Sequence, residues 1–251
     1  MSGHSKWSSI KHQKGVTDAR RGQLFTKLTR EIIVAVRQGG SSPETNTRLR
    51  LAIQRARDNS MPSDNIGRAI KRGSGELEGA TLVEMVLEGY GPGGTAILVQ
   101  ALTDNRNRTI QGVSIIFNRS GSSLGESGCV AWLFEPKGLI MVKTNDLDAD
   151  ELALYAIDAG AEDVKVENDY VEIYTKSEEL ETVRKALEEK ELPIVSAELS
   201  MVPKTMVELE EKAGLQTLKL LDKLEELDEV QLVSSNADFP DSILEKYQTQ
   251  S

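Results

Sequence analysis

From Gly138 to Val202 the chain runs strand, helix, strand, strand, helix, strand, an order that few architectures accept. "GLIMVKT" is strand-like, a helix spans 147–159, strands span 163–167 and 170–175, a helix spans 177–190, and a strand spans 195–202. This is the βαββαβ succession of a ferredoxin-like sandwich, in which helices cover one face of an antiparallel sheet. The flanking segments complete a second layer of the same kind. "LVEMVLEGYGPGGTAILVQALT" reads as two strands joined by a glycine-rich turn, and a helix follows over 105–118. "CVAWLFEP" is strand-like. Beyond Pro203 come a strand near 205–210, a helix over 215–227 and the strand "EVQLVSS". The expected fold class is α+β, with a helical N-terminal domain and two ferredoxin-like α/β sandwich domains, the third inserted in the second. Expected boundaries are 1–78, 79–135 plus 204–240, and 136–203.

The helical domain is read from periodicity. Between Asp18 and Gln38, Leu24, Phe25, Leu28, Ile32, Ala35 and Val36 share one side of a helix, and Arg20, Lys27, Arg30 and Arg37 share the other. Gly39-Gly40 ends this helix. Pro43-Glu44 is expected to open the next, with Leu49, Ala52, Ile53 and Ala56 inward, and Arg48 with Arg55 and Arg50 with Arg57 repeating every seven residues. In "NSMPSDNIGRAIKRGSGE" the break falls at Pro62 and Ser63 is the expected N-cap of a short helix.

Charge divides the chain at the same place. Residues 1–73 hold fifteen Lys and Arg against five Asp and Glu, whereas the whole chain stands at −10. A cationic front attached to an acidic remainder is the pattern of a polyanion-binding module joined to domains that avoid polyanions. Trp7 lies between Lys6 and Lys11 with His12 beside them, so rings that can stack on bases accompany charges that neutralise phosphates. The expected contacts are Lys6, Trp7, Lys11, His12, Lys14, Arg20, Arg21, Lys27, Arg30, Arg37, Arg48, Arg55, Lys71 and Arg72. A second anion site is considered at Asn105, Arg106 and Arg108 in "TDNRNRT", where the alternative is a capped, solvated turn.

Other chemistries find little footing. The two histidines, His4 and His12, provide neither a zinc cluster nor a catalytic triad, and Cys129 is the single cysteine, which suits a reducing compartment. "GYGPGG" joins two strands and lacks the Lys-Ser/Thr of a phosphate loop, so a hairpin turn is expected. "SGSSLGESG" reads either as a flexible loop or as one facing a partner. The acidic runs at 178–191 and 225–229 read as solvated helix faces. No apolar run is long enough for a membrane span or a signal peptide, so a cytoplasmic protein with no membrane partner and no cofactor is expected.

Four stretches carry a resemblance. "GHSKWSSIKHQKGVTDARRGQLFTKLTREI", "NIGRAIKRGSGE", "EGYGPGG" and "TDNRNRT" are similar to the YebC/PmpR family, and the likeness extends along the whole chain. It implies the same three-domain plan and a role in gene expression without catalysis. Bacterial members are described as DNA-binding transcriptional regulators, the mitochondrial relative is a translational activator of cytochrome c oxidase, and other members are linked to translation on the ribosome. The chain departs from the family at one loop. "SGSSLGESGCV" has Ser122 and Cys129 where the family has glycine and serine.

The expected function is that of a DNA-binding transcriptional regulator. The alternative is a translation factor on ribosomal RNA, with the acidic domains available to protein partners. A metal-dependent phosphoesterase using Asp104 ranks third.

Overall fold

The computed structural model describes residues 18–144, 148–166 and 170–250. The chain divides into two compact units, Phe134–Val202 and the residues on either side of it.

The larger unit begins with three helices: α1 (Asp18–Gly39), α2 (Thr47–Asp58) and α3 (Ser63–Ser74). Their apolar faces meet in one core containing Leu28, Ile32, Val36, Leu49, Ile53 and Ile66. Helix α2 starts later than expected. Pro43–Thr45 form a turn, and Asn46 is the N-cap, its Oδ1 accepting from the Leu49 N–H at 3.0 Å. The Asn46 amide also donates to the carbonyls of Ala35 (2.7 Å) and Gly40 (2.8 Å), so one buried side chain closes α1 and opens α2. Ser63 is not the cap of α3. Pro62 takes that place through its carbonyl, with no side-chain bond, because its fixed φ of −58° already suits a helix entry.

Close approach of α3 to α1 depends on Gly73. A Cβ there would lie 2.6 Å from the Val36 Cβ and 3.0 Å from the Ile33 carbonyl oxygen. Gly73→Ala is therefore expected to force the helices apart and to destabilise the larger unit by about 1–3 kcal/mol, measured by urea unfolding.

The same unit continues with a hairpin, β1 (Val83–Tyr90) and β2 (Ala96–Thr103), joined by a turn with a single 3₁₀ turn at Pro92–Gly94. Helix α4 (Arg106–Arg119) and the short strand β3 (Ser123–Leu124) follow. After the smaller unit come β8 (Val207–Glu208), α7 (Glu211–Glu225), β9 (Val230–Ser235), β10 (Ala237–Asp238) and α8 (Asp241–Gln250). Strands β3, β1, β2 and β9 form an antiparallel sheet in that order, and β8 pairs parallel with β10. Val113 and Phe117 of α4 and Leu218, Leu221 and Leu224 of α7 pack with Ile97, Val99 and Val233.

The smaller unit is β4 (Phe134–Lys143), α5 (Ala149–Asp158), β5 (Asp163–Val166), β6 (Tyr170–Thr175), α6 (Leu180–Glu189) and β7 (Ile194–Pro203). Its strand order is β5-β6-β4-β7, with β6 antiparallel to both neighbours. That is the ferredoxin-like arrangement. The larger unit's sheet has the same sheet-and-helix layering but a different chain order, because its first two strands form a hairpin with no intervening helix.

Two strand expectations are corrected, and one helix is new. "CVAWLFEP" does not begin as a strand: residues 131–133 form a 3₁₀ turn, and β4 starts at Phe134 and continues through Gly138 without a break. The strand expected over 205–210 shrinks to Val207–Glu208. Helix α8 was not anticipated, although Ile243 and Tyr247, four residues apart and both buried, carry the spacing that marks it.

Candidate nucleic-acid interface

The charged side of α1 has two jobs. At 100° per residue Gln23, Lys27, Arg30 and Arg37 align, and this line faces the rest of the unit. Lys27 Nζ donates to the Glu225 carbonyl, and Gln23 Nε2 donates to the Glu226 carbonyl at 3.3 Å. Both acceptors are at the C-terminal end of α7, where helix carbonyls have no intrahelical donor and the helix dipole favours a cation. Arg30 donates to the Leu102 carbonyl at 3.0 Å and lies 3.8 Å from Glu229, while Arg37 donates to the Ala80 carbonyl at 3.2 Å.

One further cation joins this seam. Arg48 pairs with Glu84, which also accepts from Gln38 at 2.8 Å; the Arg48 hydrogen bond holds the Glu84 carboxyl below the usual range despite partial burial. Arg55 instead pairs inside the helical module, 3.4 Å from Glu31 of α1. The acidic run at 225–229 is thus not simply a solvated face, because Glu225 and Glu226 give carbonyls to α1 and Glu229 is a half-buried ion-pair partner.

Replacing Lys27 and Arg30 together by methionine is expected to lower the stability of the larger unit by about 1–3 kcal/mol, since charged, partly buried hydrogen bonds are lost. Calorimetry reads that loss. A salt titration of nucleic-acid affinity with the same variant should keep most of its slope.

Arg20, Arg21, Lys71 and Arg72 are exposed, as are Arg57 and Arg68, which the sequence reading did not count among the contacts. Seven-residue spacing from Arg50 points to Arg57; Arg68 lies on the exposed side of α3 opposite Ile66 and Ala69. Lys6, Trp7, Lys11, His12 and Lys14 lie outside the described residues.

The second anion site is built as a turn. Asn105 caps α4, accepting from the Arg108 N–H at 3.1 Å, and Thr103 and Thr109 share a buried hydroxyl pair at 2.9 Å. Arg108 bonds Asp104 at 2.5 Å and Glu229 at 3.3 Å. The Arg108 hydrogen bond keeps the Asp104 carboxyl below the ordinary range and Asp104 raises the arginine in turn. Arg106 is exposed. Asp104 is thus committed to an ion pair. Among the described residues no group of three or more His, Cys, Asp or Glu could hold a metal ion.

The polar loop 120–131 is a built structure. Glu88, only 5% exposed, points from β1 into it and accepts from the N–H groups of Gly128 (2.6 Å), Val130 (2.8 Å) and Ala131 (2.7 Å). Burial alone would raise this carboxyl, but the three N–H donors outweigh it and hold the value below the ordinary 4.5. The bonds to Val130 and Ala131 also explain why β4 starts late, for those N–H groups are withdrawn from any strand ladder. In the 3₁₀ turn that follows, the ring of Trp132 is 66% exposed, while its Nε1 donates to the Cys129 carbonyl at 3.1 Å.

The geometry defines a class: a basic helical module seated on an α/β frame through part of its own charge, with the exposed cations Arg20, Arg21, Arg57, Arg68, Lys71 and Arg72 outward. A family model described as "TACO1/YebC protein N-terminal domain" matches residues 5–76, and one described as "TACO1/YebC second and third domain" matches residues 82–237. A protein of Dehalococcoides mccartyi strain 195, named a "Probable transcriptional regulatory protein", is 64% identical over 100% of both chains. One of the same name from Halothermothrix orenii is 51% identical over 98% of both. The crystal structure of a conserved hypothetical protein from Aquifex aeolicus matches with a TM-score of 0.85 at 49% identity, covering 92% of this chain and 96% of that one. The chain belongs to the TACO1/YebC family. No helix among the described residues is long and apolar enough to cross a membrane.

Proposed function

We propose that this chain is a non-enzymatic regulator of gene expression that binds DNA through its helical module. The observation that carries the reading is the outward set of cations on that module, Arg20, Arg21, Arg57, Arg68, Lys71 and Arg72, in a chain whose net charge is −10. Six cations on one small module suit a phosphate backbone. Lys6, Lys11 and Lys14 extend the set along the strand, and Trp7 stacks on a base. The acidic domains stay off the backbone, and the frame of the larger unit holds the module in place through the bonds of Gln23, Lys27, Arg30 and Arg37. Relatives named as transcriptional regulatory proteins support the same direction.

Crosslinking in cells followed by sequencing of the attached nucleic acid tests it. Enrichment of promoter DNA is the expected result. Enrichment of ribosomal RNA would overturn the DNA assignment and move the same module onto the ribosome.

A further inference from the structure

A cleft of about 560 Å³ opens beside the exposed cations, between α1, α3 and the turn leading into α4. Its volume lies in the range of small-ligand sites. Partly buried Phe25 and Leu82 make an apolar floor backed by the core residues Ile33 and Met61, and Asn65, Arg72 and Glu78 stand among the polar groups around it. Two further arginines of the lining are already engaged: Arg30 with the Leu102 carbonyl and Glu229, and Arg108 with Asp104 and Glu229. Their charge is offset on the spot. Arg72 is different: it is exposed, and no hydrogen bond or ion pair of its side chain is found among the described residues.

An aromatic floor with one uncommitted cation beside it matches a base plus its phosphate better than an inorganic anion. We propose that the cleft takes a single nucleotide with an unpaired base, the base against Phe25 and Leu82 and the phosphate toward Arg72. The Asn65 Oδ1 accepts from Arg68 at 2.6 Å, which leaves the Asn65 amide N–H groups to donate to a base. The Glu78 carboxylate accepts the N1–H and N2–H of guanine, so guanine is the preferred base. This inference rests on the proposed nucleic-acid function for its biological source, since an extruded base of a bound strand and a free nucleotide present the same chemistry.

The test uses the full chain, with GMP, inorganic phosphate, and an oligonucleotide carrying one central guanine or an abasic site in its place. Two variants accompany it. Ala80→Trp fills the cleft from an exposed position whose carbonyl alone is bonded, and Arg72→Ala removes the phosphate contact. GMP is expected to bind where inorganic phosphate does not, at least 10-fold more weakly in Ala80→Trp. Arg72→Ala should weaken GMP while leaving guanosine unchanged. The abasic strand should bind the native chain roughly 10-fold more weakly than the guanine strand, in line with the worth of one stacked base, and Ala80→Trp should erase that difference. Strand binding with no GMP binding and no abasic effect overturns the cleft and leaves the module's function standing. GMP binding without strand binding keeps the cleft, assigns it to free nucleotide and overturns the module's function. Loss of both overturns both.

Discussion

Changing Arg20, Arg21 and Lys71 to glutamate is expected to weaken DNA binding by roughly a thousand-fold at moderate salt, with the fold intact. All three side chains are exposed, at the start of α1 and near the end of α3. Each reversal removes one phosphate contact and adds a repulsion, and backbone neutralisation supplies most of such affinity. Fluorescence anisotropy on a labelled duplex gives the affinity, and circular dichroism checks the fold. The contrast with Lys27 and Arg30 sharpens the result. Those two lie on the same helix with the same charge, yet their partners are the carbonyls of Glu225 and Leu102, so their loss should register in stability.

Glu88→Ala should produce the largest change in stability. The substitution leaves the N–H groups of Gly128, Val130 and Ala131 without their acceptor, in a place where the carboxylate is only 5% exposed. Hydrogen bonds to a charged acceptor are individually strong, and the net loss is expected to be about 3 kcal/mol or more. For a unit of this size that lowers the melting temperature by roughly 6–12 °C. Loop 120–131 should loosen with it, which a change in Trp132 fluorescence would report. The pH dependence has a definite sign. Because the folded carboxyl titrates below its unfolded value, its contribution is complete above about 4.5 and disappears as pH falls through the lower folded value. Glu88→Ala should therefore be less sensitive to acid than the native chain over that window.

Much of the fold was legible in the sequence because the periodicities are local. The inward faces of the first three helices and the βαββαβ order of the smaller unit follow from residue spacing alone. Some of the misreadings trace to long-range partners, others to local signals passed over, such as the Ile243 and Tyr247 spacing of α8. Cys129 to Leu133 has the apolar content of a strand, but Glu88, some forty residues earlier, captures its N–H groups. The start of α2 is set by Asn46, whose cap bond to Leu49 is a local signal, while its bond back to Ala35, which ties the cap to α1, is not written in any local propensity. The cationic stripe of α1 was visible as a stripe, yet its division into a seam and an outward face was not. Nothing near Lys27 or Arg30 in the sequence announces that α7 ends and β2 passes beside them. The turn at Asn105 illustrates the same limit: its capping residue was readable, but the engagement of Arg108 by Glu229 was not.

The most direct test is a salt titration of the full chain on duplex DNA. If about six phosphates are neutralised, log affinity should fall against log salt with a slope near −5, dropping to roughly −2 to −3 when Arg20, Arg21 and Lys71 are reversed. A slope near zero, or one that the triple substitution leaves unchanged, would contradict the assignment of the helical module as the polyanion-binding surface.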